Sequence, residues 1–137
     1  MIRGMAGERD LERLLAGMTP ERVPGEYVFV LSPEPGVPAG LHPVATVSED
    51  EGLTLVLTRE EADRAGLRHD YLAARITLRV HSDLAAVGLT AAVSTRLAEA
   101  GISCNVIAGY HHDHLFVPAE QAGEAMVTLR ALGSDRA

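Results

Sequence analysis

Two stretches of this chain carry side chains able to do chemistry. The first is Tyr110-His111-His112-Asp113-His114, three imidazoles and a carboxylate in four consecutive residues. Those are competent zinc ligands. A fixed site needs them to converge, however. Neighbours on extended backbone point to opposite faces, so at most His112 and His114 share one. Cys104, on the preceding strand, could face them, or form a thiolate–imidazole couple with one. Its place in the alternating run Ile102-Cys104-Val106 argues instead for a buried structural thiol. A polar turn whose Asp113 bonds its own backbone accounts for the hairpin without a metal, and we expect no metal and no cofactor. Asn105 lies on the opposite face of that strand from Cys104, toward a ligand or a helix. The second stretch, His81 to Leu89, joins a strand end to a helix start. Unpaired backbone N–H groups and the positive end of the helix dipole suit an anion there, such as a carboxylate. The simpler reading is that Ser82 or Asp83 caps a turn. Nucleophile elbow, dinucleotide fingerprint and phosphate loop are absent from the sequence.

The elements that must position these groups read clearly in the second half. Ile76, Leu78 and Val80 alternate with Thr77 and Arg79, the signature of a strand with one buried face. Leu89, Val93 and Leu97 recur every four residues, with Ala92 and Ala100 beside them, as on the apolar stripe of a helix. Gly101 stands where a helix needs a left-handed residue. Strands follow over 102–108 and 114–117. Pro118 then opens a helix with Ala122, Ala125, Met126, Leu129 and Leu132 on its buried face, and Gly133 closes it. The order is β-α-β-β-α.

The first half is less regular. Leu11, Leu14, Leu15 and Met18 predict a short helix, and Thr19-Pro20-Glu21 a turn. Tyr27 and Phe29 share one face of a strand over 26–31, Val28 and Val30 the other, so that strand is interior or faces a partner. Four prolines and two glycines between Ser32 and Pro43 predict a loop. Strands over 44–47 and 53–57 flank the acidic turn Glu49-Asp50-Glu51. Thr58 and Glu61 form a capping box, and Gly66 stops the helix behind it. The second half lacks a last strand, which an exchanged strand from the first half, or a second chain, would supply. We therefore expect an α+β fold of two intertwined lobes, 1–70 and 71–137, and a homodimer.

Composition narrows the function classes. The net charge is −7 and no basic block offsets it. That argues against nucleic acid, which needs a concentrated basic surface. All twelve basic residues are arginine, which removes Schiff-base lysine chemistry. The lone Cys104 excludes an internal disulfide and fits a reducing, cytoplasmic setting. We expect no secretion signal and no contact with a membrane, since no apolar run is long enough to span one.

Three pieces, in order, resemble the ACT-domain family of small-molecule sensors: Val87-Gly88-Leu89, Glu99-Ala100-Gly101-Ile102, and the hairpin Gly109-Tyr110-His111-His112-Asp113-His114 running into Leu115-Phe116-Val117-Pro118. The likeness spans Arg75 to about Leu132. It is greatest to the branch related to aspartate-kinase regulatory domains. It implies a ferredoxin-like fold, two ACT-like lobes, and an effector pocket lined by Ser82, Asp83, Val87, Gly88 and Leu89. Gly88 would let a ligand approach the backbone, Asp83 would hold an amino group, and Asp113 would face the ligand. The sequence departs from the common family pattern, with Val87 in place of a proline and Asp83 five residues before Gly88. The function so implied is a non-catalytic, cytoplasmic regulatory module that binds a small ligand, expected to be an amino acid. The alternatives are an interaction module without a ligand, and a metal-binding protein built on His111–His114.

Overall fold

The structure is a computed structural model that describes residues 10–80 and 88–134. In chain order the elements are α1 (Leu11–Gly17), β1 (Thr19–Leu31), β2 (Ala45–Glu49), β3 (Gly52–Thr58), α2 (Arg59–Arg64), β4 (Ala73–Arg79), α3 (Leu89–Glu99), β5 (Asn105–Ala108), β6 (Asp113–Pro118), a 3-10 turn (Ala119–Gln121) and α4 (Ala122–Ser134). The fold is mixed α+β, of the ferredoxin-like kind. It divides into two compact units. Described residues up to Val23 join those from Ala74 onward in a split unit, and Pro24–Ala73 form an inserted unit.

In the split unit β4, β6 and β5 lie side by side in that order. β5 and β6 are an antiparallel hairpin that pairs Asn105 with Phe116 and Ala108 with Asp113. Ile76, Leu78, Leu115 and Val117 meet Val93, Leu97 and Leu129 of the helices in one buried cluster. Leu14 and Leu15, from the far end of the chain, are fully buried in it. Glu21, near the start of β1, ion-pairs with Arg79 of β4 at 2.9 Å. α3 ends as its sequence predicts. Gly101 has φ +76°, Gly101 N–H donates to the Ala98 carbonyl and Ile102 N–H to that of Leu97, both at 2.9 Å. This is a Schellman closure, completed by contact of buried Ile102 with the core that holds Leu97.

In the inserted unit the order is β2-β3-β1, all antiparallel. Val28, Val30, Leu55 and Leu57 pack with Ala62 of α2. The Thr58 hydroxyl accepts from Glu61 N–H at 3.2 Å, which is half of the expected capping box. The Glu61 carboxylate goes elsewhere and accepts from His42 N–H at 3.2 Å, fastening the proline-rich loop. α2 also closes with a Schellman pair, Gly66 N–H to Asp63 and Leu67 N–H to Ala62.

Three local expectations are corrected. Thr19-Pro20-Glu21 is not a turn but the start of a thirteen-residue β1. The strand expected over 102–108 begins only at Asn105, because Ile102 is consumed by the helix cap. Gly133 does not end α4, which runs on to Ser134. A Cβ there would stand 3.3 Å from the Leu15 carbonyl oxygen and 3.4 Å from that of Met18. Its bareness lets α4 approach the end of α1.

Candidate functional site

The helix start after β4 is built around Gly88. It is the N-cap of α3, with φ +101° and ψ −17°. Other residues rarely adopt that left-handed backbone. A Cβ at Gly88 would also come within 3.2 Å of Leu11 Cδ2. The Gly88 carbonyl accepts from Ala92 N–H at 2.8 Å, so the helix is regular from its first turn. Among the described residues no side chain caps the first backbone donors of α3. A cleft of about 420 Å³ starts at Gly88 and follows the outer side of α3 between Leu11 and Leu132 as far as Arg96 and Glu99.

The β5–β6 hairpin is held against β4 by its histidines. Gly109 N–H donates to the His112 carbonyl at 2.9 Å and closes the turn. His112 Nδ1 lies 3.3 Å from the Val80 carbonyl. The hairpin tip is thereby fixed at Val80, directly after the end of β4. His114 Nδ1 lies 3.0 Å from the Thr77 hydroxyl and 3.3 Å from an Arg75 guanidinium nitrogen. A guanidinium only donates, so Nδ1 accepts and the proton of the neutral ring sits on Nε2. Burial lowers the His114 pKa, and Arg75, His112 and Arg79 lower it further.

Asp113 begins β6 opposite Ala108 and is half-buried. By strand alternation it shares the helix-facing side with Leu115 and Val117. Burial raises its pKa, partly countered by His112. A carboxylate so short of water has most to gain from a cationic partner.

The residues expected to line a pocket are distributed as follows. Ser82, Asp83 and Val87 lie outside the described residues. Gly88 is at the helix start. Leu89 is a core residue, 4 % exposed, and turns its side chain to Val93 and Leu97. Asp113 stands at the hairpin tip, at the same end of the sheet as the end of β4. Asn105 pairs with Phe116 at the far end of the hairpin, exposed and on the opposite face from Asp113, so the two are not brought together. The same alternation separates Cys104 from His114. Cys104 packs against the helix-side core, and burial alone lifts its pKa to about 11, which leaves it an inert thiol. Among the described residues no three metal-ligating side chains converge.

Sequence reasoning missed the Arg75–Thr77–His114 group. Thr77 was read as the polar partner of a half-buried strand, yet it is 3 % exposed. The signal available was a threonine between two arginines on one face, opposite a histidine-rich strand.

Strands β4, β6 and β5 packed through one buried cluster against the helices of the split unit define a small α+β class of domain. A family model of the ACT domain matches residues 6–74, and a second ACT-domain model matches 74–131. The chain belongs to the ACT-domain family, whose members are typically regulatory modules that bind small molecules. It is 52 % identical to a protein of unknown function from Vibrio cholerae, described as a possible transport protein. That likeness covers 90 % of this chain and 95 % of the other, with a TM-score of 0.80. The regulatory subunit of aspartate kinase from Thermus thermophilus, in its ligand-free form, shares the fold. Its TM-score is 0.64 at 11 % identity, over 86 % of this chain and 97 % of that one. A comparison with curated proteins finds no match. No helix among the described residues is long and apolar enough to cross a membrane.

Proposed function

We propose that this chain is a non-catalytic cytoplasmic module, working as a homodimer, that binds an amino acid in the split unit and reports its presence to a partner. The ligand carboxylate sits against the N–H groups at the start of α3, and its ammonium group is held by Asp113, with Ser82, Asp83 and Val87 contributing from the connecting loop. One observation carries this reading: Gly88 leaves the helix start bare, and the Val80–His112 contact holds Asp113 at the end of the strand leading to it. The two ends of a zwitterion would then find a dipole and a charge of the right signs. Leu89 contributes to the core beneath, and Asn105 stands aside.

A charge-assisted hydrogen bond of this kind is worth roughly 1.5–3 kcal/mol. Titration calorimetry with each of the common amino acids tests the proposal. Binding of at least one, weakened in a Gly88→Val protein that remains folded, supports it. Heat from none of them returns the chain to the reading of an interaction module without a ligand.

A further inference from the structure

Nearly all of the chain's excess charge lies in the inserted unit. Between Pro24 and Ala73 there are nine acidic residues and three arginines, a formal −6 out of −7. Two of the arginines are engaged along α2: Arg59 ion-pairs with Glu26 at 2.8 Å and with Asp63 at 3.5 Å, and Arg64 with Glu60 at 3.5 Å. Glu49, Asp50 and Glu51 are exposed at the β2–β3 turn, and no described cation forms an ion pair with them. Beside these acids the sheet is open. β2 pairs with β3 on one side, and among the described residues no strand pairs with the other. Native proteins blunt a free edge with lysine, proline or a bulge. Ala45–Glu49 contains neither residue, and its register with β3 runs without a bulge. Val47, 49 % exposed, is opposite Thr54, which in turn is opposite Leu31, 58 % exposed. Leu31 lies over Gly52, where a Cβ would come within 2.8 Å of Leu31 Cδ1. The Thr54 hydroxyl donates to the Glu49 carboxylate at 2.5 Å. One face of the edge thus presents an apolar row and, two residues along β2, a carboxylate fixed beside it.

We propose that β2 docks an extended, basic segment of another protein, which joins the sheet as an antiparallel strand. An apolar side chain of that segment stands opposite Val47 and an arginine or lysine opposite Glu49, and further basic residues run past Asp50 and Glu51. The inference goes beyond the ligand reading: it gives the chemistry of a partner and holds whether or not an amino acid is bound. Extended backbone is the occupant that satisfies the peptide groups of a strand edge, and side chains at alternate positions then supply specificity. Antiparallel pairing is the more stable of the two ladders. The acids decide the sign of the partner. Opposite charges directly across a strand pair stabilise it, and like charges oppose it. Charge also speaks against a second copy of this chain, which would bring another −6 to the same edge. The negative field of the unit draws a basic segment to the edge before any strand bonds form.

Fluorescence anisotropy on the full chain, with no amino acid added, tests the edge. The probe is a fluorescein-labelled synthetic peptide, Arg-Arg-Arg-Thr-Val-Thr-Val. Saturable binding is expected, weakening as salt is added. The same peptide with glutamate in place of each arginine is expected not to bind. Two further versions are N-methylated, each on one alternate set of residues. Only the set facing β2 is expected to abolish binding, because only those N–H groups enter the ladder. Val47→Lys, checked for folding by circular dichroism, is expected to weaken binding roughly tenfold by placing a like charge in the pairing row. Val127→Lys, at an exposed position of α4, is expected to leave it unchanged. Absence of binding overturns the proposal, and so does equal binding of both N-methylated peptides, which is adhesion by charge alone. Sedimentation velocity reads the other occupant: a wild-type dimer that Val47→Lys converts to a monomer puts a second copy on the edge and overturns the proposal as well.

Discussion

His114 Nδ1 stands 3.0 Å from the hydroxyl of Thr77, a threonine buried in the middle of β4. With Arg75 also donating at 3.3 Å, the ring is held neutral. A histidine whose folded pKa lies below its unfolded value is neutral in both states above about pH 6.5. Below that pH the unfolded chain takes up the proton first, so the folded state loses stability as pH falls. Chemical denaturation should therefore show stability declining from about pH 6.5 downward, and His114→Gln should flatten that limb. An unchanged limb in the variant would assign the pH dependence to other groups.

Asp113 has the opposite sense. Its pKa is raised by burial, so ionisation costs the folded state stability as pH rises through the folded value. A cationic ligand group beside it would reverse that cost. Asp113→Asn should weaken amino-acid binding by roughly tenfold to a hundredfold, with no loss of thermal stability. Calorimetry and a melting curve on the same sample separate the two effects.

Gly88→Ala should destabilise the split unit by about 1–2 kcal/mol, because an L side chain is strained in a left-handed backbone. The close Leu11 side chain can move, so it adds little. Gly101→Ala, at φ +76° with open space around it, should show the strain cost alone. Equal losses in urea titrations of the two variants would place the effect in backbone conformation.

Leu97 is fully buried and its carbonyl anchors the closure of α3. Leu97→Ala should cost about 2–5 kcal/mol, the range for emptying a well-packed leucine site. Thr90→Ala, on the exposed side of the same helix, should change stability by less than about 0.5 kcal/mol. Urea midpoints of both report the contrast.

Most of the architecture was legible because it rests on local rules. Spacing four in Leu89, Val93 and Leu97 specified the buried face of α3, and Gly101 its end. Alternation specified β4, and the short apolar run Leu115-Phe116-Val117 specified β6. Failures came where one residue serves distant backbone. Gly133 looks like a helix terminator because nothing local reveals that Leu15 and Met18 carbonyls press against it. Pro20 looks like a turn because its acceptance into β1 depends on neighbouring strands. At the site, a helix start at Gly88 was visible in the sequence, and the role given to Asp113 came from family likeness alone. Alternation places Asn105 opposite Cys104, as the structure has it, whereas its separation from Asp113 depends on the β5–β6 register, which a strand pattern of four residues does not fix. The tautomer of His114 needed Arg75, thirty-nine residues away.

The membership of α1 in the split unit has a consequence for how the chain is made. Leu14 and Leu15 leave a ribosome before the inserted unit does, and Leu129, in the same core cluster, leaves after it. The inserted unit, continuous from Pro24 to Ala73, can complete its own contacts while synthesis is still under way. The split unit cannot close until α4 has emerged, and α1 must wait with its apolar face uncovered. Ordering in time therefore runs against ordering in sequence: α1, made before the inserted unit, is buried after it.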